Sequence, residues 1–265
     1  MQKNVEINQE IGRTRSIADV LSLTSREGNA LNLVNCVTSL QRIAKLSTGG
    51  RQDAAAVAHI TARATECFGG EQAQPRHVSG ALWACAKLQL VPDPLLKAVV
   101  SAGALMQPSW FKPQEVSMAV WAIGKLHSAG MSTACGDAAA AFVGKLLPSA
   151  LARPQDFDPQ GLANLVSGVA AVGTAGRAGV EGRLAGALKG RLKELNAQEL
   201  ANVLHGMSKL GVKLDESKGL AREAALAVVA RLADFTPQNL ANASWASTKL
   251  LERTRAQGDR DDLDF

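Results

Sequence analysis

Apolar and polar residues follow one another along this chain with the spacing of an α-helix, and the same arrangement returns five times. In the copy at residues 75–88, apolar or small residues occupy positions 0, 3, 4, 7, 8 and 10, counted from the Leu or Val near the start of each copy. At about 100° per residue these positions fall on one broad arc, which is the packed face of an amphipathic helix. The pattern therefore predicts five helices that bury equivalent faces.

The five copies share a phrase of about fifteen residues, which reads TPQNLANASWASTKL at residues 236–250. Earlier copies cover residues 75–88, 113–126, 159–172 and 197–210, and successive copies lie 38, 46, 38 and 40 residues apart. A recurring segment of this length is typical of stacked helical repeats. We therefore predict an all-α fold, an α-solenoid built as a right-handed superhelix of paired antiparallel helices, with about five and a half repeats.

A second apolar stretch follows most copies of the phrase and predicts the partner helix of each pair. Proline and glycine signals place these second helices at residues 95–106, 133–151, 180–195 and 215–233, with earlier helices at 16–25, 29–46 and 52–68. The predicted domains are an N-terminal extension at 1–15, the helical repeats at 16–251 and a charged, flexible tail at 252–265. No second helix is predicted after residue 250, so we expect the last half-repeat to be covered by a partner or by further chain.

The side of each phrase helix opposite the packed face carries polar and aromatic residues at positions −2, 2, 5 and 9, which lie within about 60° of one another. We call these residues the polar stripe. Position −2 holds Arg76, Gln114, Gln160, Gln198 and Gln238, and position 2 holds Asn164, Asn202 and Asn242 in the last three copies. Position 5 holds Trp83, Trp121 and Trp245, with Ser167 and His205 in the remaining copies, and position 9 holds Lys87, Lys125, Lys209 and Lys249, with Ala171 in the third copy.

The polar stripe has two interpretations. The first interpretation is a binding site for single-stranded RNA, in which the Lys side chains bind phosphates, the amides hydrogen-bond to base edges and the aromatic rings stack on bases. Alternatively, the Asn side chains bind the backbone of the preceding repeat and the Trp rings fill grooves between repeats, and we prefer this packing interpretation for Asn and Trp. Burying an unpaired Lys side chain costs free energy, so each of these side chains must reach either solvent or a ligand. The sequence leaves both alternatives open.

Composition narrows the functional classes only slightly. The net charge is +5, a mild surplus that permits an anionic partner without requiring one. No apolar run approaches the roughly 20 residues that cross a bilayer, so no membrane insertion is expected. The cysteines at positions 36, 67, 85 and 135 are scattered, which favours small buried hydrophobes in a reduced compartment over a disulfide or zinc framework.

The sequence contains no recognisable catalytic motif. Its four histidines, at positions 59, 77, 127 and 205, lie in separate repeats without a paired spacing. The Gly-Gly pairs at 49–50 and 69–70 lack the Lys-Ser/Thr of a phosphate-binding loop, and no GxSxG or kinase signature is found. We therefore predict a protein that is not an enzyme and has no cofactor and no metal site.

The phrase Pro-Gln-x-Leu-Ala-Asn-x-x-Trp-Ala-x-x-Lys-Leu, repeated at a step of about 38 residues, resembles the octotricopeptide repeat (OPR) family. Similar segments occur in the helical repeats of RAP-domain proteins and of FAST-kinase-like proteins. The resemblance covers residues 29–250. It implies an α-solenoid that binds single-stranded or ribosomal RNA in a mitochondrion or chloroplast, in RNA metabolism, translation or ribosome assembly. Other proteins of a ribonucleoprotein assembly are the implied partners, and an organellar presequence is expected to lie outside this numbering.

Two departures from the family limit what the resemblance implies. There are only about five and a half repeats, and no RAP-like segment is recognisable after residue 250, so no nuclease-like activity is carried over. The third and fourth copies lack the Trp, which argues against a uniform readout of one base per repeat. The alternative is an armadillo-like protein–protein scaffold or a structural subunit of a large organellar assembly such as a mitochondrial ribosome.

Overall fold

The structure is a computed structural model that describes residues 2–48, 53–173, 179–212 and 218–261. Over these residues it contains thirteen α-helices, joined in places by short 3₁₀ turns, and no strand. The helices are α1 Gln2–Arg13, α2 Ile17–Glu27, α3 Leu33–Leu46, α4 Ala58–Gly70, α5 Pro75–Leu88, α6 Asp93–Leu105, α7 Pro113–Ser128, α8 Thr133–Leu151, α9 Pro159–Val172, α10 Val180–Leu188, α11 Ala197–Leu210, α12 Lys218–Ala230 and α13 Pro237–Asp261. The predicted all-α helical-repeat fold is confirmed.

The phrase forms a complete helix because it carries its own start and stop signals. Asp158 accepts a hydrogen bond from the backbone N–H of Gly161 at the start of α9, and Asn196 forms a capping box with Glu199 at the start of α11. Proline occupies the first turn of α5, α7, α9 and α13, where its missing N–H is not needed. At the other end, α11 stops at Gly211, whose φ of 74° is left-handed and favours glycine.

The chain divides into two compact units between Leu146 and Leu147, inside α8. In the first unit the helices α1, α3, α5 and α7 pack in a row, each on the next, and the phrase helices α5 and α7 form its end. The second helices α4 and α6 pack on each other. The predicted N-terminal extension is largely the helix α1, which belongs to this row. Its Ile7 and Ile11 are buried, and its Asn4 carbonyl accepts a hydrogen bond from the Asn35 amide of α3.

In the second unit α11 packs between α9 and α13, so that the phrase helices again form a row. Position 6 of the phrase is always small and buried: Ala84, Ala122, Gly168, Gly206 and Ala246. The reason is visible at Gly206, where an added Cβ would lie 2.7 Å from Cγ1 of Val166 and 3.2 Å from its carbonyl oxygen on α9. A small residue at this position lets neighbouring phrase helices approach closely.

We expect Gly206→Ala to lower the free energy of unfolding by about 1–3 kcal/mol, because the new methyl group overpacks the contact with Val166. Gly186→Ala in α10 is the matched control, since nothing lies within 4 Å of a Cβ built there. That change should raise stability by about 0.5–1 kcal/mol through helix propensity alone. Urea unfolding followed by circular dichroism measures both. Equal effects of the two substitutions would contradict the close approach of α9 and α11.

Several boundaries differ from the sequence-based prediction. The helices α10 and α12 end at Leu188 and Ala230, before their predicted ends at residues 195 and 233. A 3₁₀ turn follows each of them, Leu192–Glu194 after α10 and Leu232–Asp234 after α12. The helix α13 continues to Asp261, because the residues after Leu250 include good helix formers and no proline to stop it. The predicted start of the fourth second helix at 215–217, residues 174–178 after the third copy of the phrase and the last four residues of the tail lie outside the described residues.

The four cysteines are free and buried, as predicted. Burial raises the pKa of the Cys85 thiol to about 12 and that of Cys67 to about 11, so both stay protonated near neutral pH. They act as small apolar side chains in the helix interfaces. In the part of the chain that the structure describes, no helix is long and apolar enough to cross a membrane.

Candidate nucleic-acid interface

The polar stripe faces outward on the phrase helices. Its position −2 is exposed in all five copies, at Arg76, Gln114, Gln160, Gln198 and Gln238. Since α5 packs beside α7, and α11 beside both α9 and α13, the same positions of neighbouring helices lie side by side within each unit. Packed helices stand roughly 8–10 Å apart, so the amide groups of the stripe recur at about that spacing.

The lysines at position 9 supply the positive charge of the stripe. Lys87, Lys125 and Lys209 are exposed, and no ion pair engages them among the described residues. Lys249 is half-buried, and its Nζ lies 2.8 Å from Oε2 of Glu252. A surface pair of this kind contributes little, on the order of 0–1 kcal/mol, so it leaves Lys249 able to bind an anion.

One further cation was missed by the sequence analysis. Lys45 is exposed near the end of α3, which packs against α5, and it lies 42 residues before Lys87. The sequence carries a signal for it, because residues 44–46 read Ala-Lys-Leu like the end of the copy at residues 75–88. The other stripe positions of α3 do not match the phrase, so the sequence analysis did not count Lys45 among the stripe residues. The first unit therefore carries three position-9 lysines on consecutive phrase helices.

The asparagines at position 2 reach solvent to different extents. Asn202 is exposed, whereas Asn164 and Asn242 are half-buried. They stand between the position −2 glutamines and the position 5 residues on the same helix face. An amide that is at least partly exposed there offers both a donor and an acceptor to a ligand.

The aromatic residues at position 5 divide into two kinds. Trp83 and Trp121 are half-buried, whereas the Trp245 side chain is 46% exposed. The Trp245 ring lies 5.1 Å from the His205 ring, centroid to centroid, at an interplanar angle of 42°. These two residues hold position 5 of neighbouring copies, so the contact shows directly that equivalent stripe positions meet across α11 and α13.

His205 presents its ring in the neutral form near pH 7. Burial lowers its pKa, and the positive charge of Lys209 lowers it further. Its Nδ1 is buried and has no hydrogen-bond partner among the described residues. A neutral imidazole beside a half-exposed indole offers weakly polar aromatic rings, tilted to each other, on which a nucleobase can stack.

Two of the remaining histidines form hydrogen bonds that stabilise the fold. Nδ1 of His77 accepts a hydrogen bond from the backbone N–H of Gln74 and so caps α5, and Nε2 of His59 lies 2.8 Å from the hydroxyl of Thr24. Burial lowers the pKa of both imidazoles. Among the described residues, no group of three or more His, Cys, Asp or Glu side chains could hold a metal ion.

The stripe thus offers ammonium, amide and aromatic groups along a row of helices in each unit. Such a surface can bind a flexible polyanion that carries flat bases, with phosphates on the lysines and bases on the rings and amides. A scan of the sequence against models of known protein families and a search of curated proteins find no match.

Proposed function

We propose that this protein is a non-catalytic RNA-binding helical-repeat protein and that its polar stripe holds single-stranded RNA. The observation that carries the proposal is the alignment of exposed Lys and Gln side chains on neighbouring packed helices. The contact between His205 and Trp245 supports it, because it brings equivalent stripe positions together. A single isolated helix would present one such set of groups, whereas the row presents a series.

A series of cations on the packed helices of each unit favours a long anion over a small one. Each ammonium that neutralises a phosphate releases condensed counterions, so the contributions of several lysines accumulate along one strand. Single-stranded RNA also exposes base edges and faces that a duplex hides, and the amides and rings of the stripe match these groups. The lysines supply affinity, and the amides supply whatever sequence preference the protein has.

The cellular setting of the proposal rests on the resemblance to octotricopeptide repeats. We place the protein in a mitochondrion or chloroplast, where it acts in RNA metabolism, translation or ribosome assembly. Its RNA is a transcript or ribosomal RNA, and other proteins of a ribonucleoprotein assembly accompany it. Stacked helical repeats provide extended binding surfaces, which suits the binding of an RNA strand.

Salt dependence tests the proposal. If four lysines contact phosphates, the plot of log K against log salt should have a slope of about −2.8, since each contact to a single strand contributes about 0.7. Affinity for a mixed-sequence single-stranded RNA should then fall by about fiftyfold between 50 and 200 mM salt. Filter binding measures this, with double-stranded RNA of the same length as the control. Absence of binding at the lower salt concentration would contradict the proposal and favour the scaffold or structural-subunit alternative.

A further inference from the structure

The three phrase helices of the second unit each carry two amide side chains on the polar stripe. A Gln at position −2 and an Asn at position 2 are four residues apart, so their Cβ atoms lie about 5–6 Å from each other on one helix face. We call these residues the amide pairs: Gln160 with Asn164 on α9, Gln198 with Asn202 on α11, and Gln238 with Asn242 on α13. Because α11 packs between α9 and α13, the pairs stand side by side.

The amide groups of the pairs are not engaged within the protein. Among the described residues, none of the six side chains forms a hydrogen bond, either with its pair mate or with a neighbouring helix. The three Gln side chains and Asn202 are exposed. Asn164 and Asn242 are half-buried, but neither has a buried polar atom without a partner, so their amide groups reach solvent. All six amides can therefore bind a ligand.

The phrase helices of the first unit lack such pairs. Position 2 of α5 is Gly80, where an added Cβ would lie 2.6 Å from Nε2 of Gln41 on α3, so the neighbouring helix fills this place. Position 2 of α7 is Met118, whose thioether is only a weak hydrogen-bond acceptor. Position −2 of α5 is Arg76, whose Nε donates to Nε2 of His77 at 3.3 Å. The two units therefore present different groups at equivalent positions.

The cations at position 9 are distributed in the opposite way. The first unit has an exposed lysine at this position on α3, α5 and α7: Lys45, Lys87 and Lys125. In the second unit, α9 has Ala171 at this position, and the Nζ of Lys249 on α13 lies 2.8 Å from Oε2 of Glu252. The first unit is thus richer in groups that bind phosphates, and the second unit is richer in groups that bind base edges.

We propose that the amide pairs of the second unit select the bases of the bound RNA, whereas the first unit binds phosphates without selecting bases. This inference rests on the proposed RNA-binding function. Each amide offers a hydrogen-bond donor beside an acceptor, and the edges of an unpaired base offer complementary groups. Phosphates are the same in every nucleotide, so contacts with them position a strand but carry no sequence information.

Binding of labelled single-stranded oligo(A), oligo(C) and oligo(U) of equal length to the full chain tests this division. By fluorescence anisotropy, the protein should bind one of the three about tenfold or more tightly than another, because amides distinguish base edges. Replacing Asn164, Asn202 and Asn242 together with Ala should reduce this ratio to about twofold or less. The slope of log K against log salt should not change, since no cation is removed.

Replacing Lys45, Lys87 and Lys125 together with Gln gives the matched variant in the first unit. Binding to all three oligonucleotides should weaken by the same factor, so that their affinity ratio is unchanged. The salt slope should become shallower by about 2.1, since each phosphate contact to a single strand contributes about 0.7. In the converse direction, Met118→Asn builds an amide pair with Gln114 on α7 and should increase the ratio by about threefold or more.

Circular dichroism checks the fold of each variant. The Asn replacements should keep the Tm, since they remove no hydrogen bond among the described residues and Ala favours a helix. If they unfold the protein, replacing Gln160, Gln198 and Gln238 with Ala repeats the test at exposed positions.

The outcomes separate this inference from the proposed function. Equal affinity of the intact protein for the three oligonucleotides would overturn the inference and leave RNA binding in place. So would a ratio that the amide replacements leave unchanged, or one that the lysine replacements abolish. Absence of binding to any of the three at low salt would overturn both the inference and the proposed function.

Discussion

Replacing Lys87, Lys125, Lys209 and Lys249 together with Gln should lower the affinity for single-stranded RNA by roughly two to three orders of magnitude at 0.1 M salt. Each phosphate contact to a single strand contributes about 0.7 to the salt slope, so four lost contacts remove about 2.8 decades at this concentration. The slope of log K against log salt should become shallower by about 2.8. The helical circular dichroism and Tm should change little, because three of these side chains are exposed and the fourth forms only a surface ion pair.

A charge-matched variant separates the stripe from the general positive charge of the protein. Lys3, Lys97, Lys189 and Lys193 are also exposed and lie off the stripe, two in each compact unit. Their joint replacement with Gln removes the same charge and should lower RNA affinity much less. Equal losses for the two variants would mean that only net charge attracts RNA. Unfolding of the stripe variant would mean that these lysines stabilise the repeats, and the site assignment would then be wrong.

Trp245→Ala should lower RNA affinity by about fivefold to a hundredfold, because stacking of a base on an aromatic side chain contributes about 1–3 kcal/mol. The loss of folding stability should stay well below the 3–5 kcal/mol typical of a buried Trp→Ala change, since the ring is 46% exposed. Fluorescence anisotropy with labelled RNA and urea unfolding provide the two measurements. This expectation departs from the sequence-based preference for packing, because the structure places the ring at the surface beside His205.

Trp121→Ala is the matched control for Trp245→Ala. Trp121 holds the same phrase position but is half-buried on α7, beside the packed helix α5. Its removal should act mainly on stability, by more than the removal of Trp245 does. If both variants lose equal stability and neither loses RNA affinity, position 5 serves packing throughout, as the sequence alone suggested.

The sequence predicted the phrase helices well because their local signals and their apolar period agree. The helices α9 and α11 start at the expected residues, where Asp158 and Asn196 cap them, and α8 matches its predicted range of 133–151. The position 6 glycine and alanine residues were also visible in the sequence. That they mark the close approach of neighbouring helices became clear only from the Val166 contact of Gly206.

Features that depend on tertiary contacts or on weak local signals were not predictable. The helix α1 lacks the phrase, and its place is set by the burial of Ile7 and Ile11 against the repeats. The stripe was identified as a set of helix positions, but the meeting of His205 with Trp245 requires the packing of α11 on α13. The hydrogen bonds of Glu223 and Arg231 with the residues just after α10 join positions more than 30 residues apart, so no local sequence pattern predicts them.

Ultraviolet crosslinking followed by mass spectrometry tests most directly whether the polar stripe binds RNA. The intact protein is irradiated with a uridine-rich single-stranded RNA, and the modified peptides are mapped to the helices. We predict adducts on the phrase helices α5, α7, α9, α11 and α13, centred on stripe residues such as His205 and Trp245, and their loss in the four-lysine variant. Adducts concentrated on the second helices α6, α8, α10 and α12, or adducts unchanged by the lysine replacements, would contradict the account.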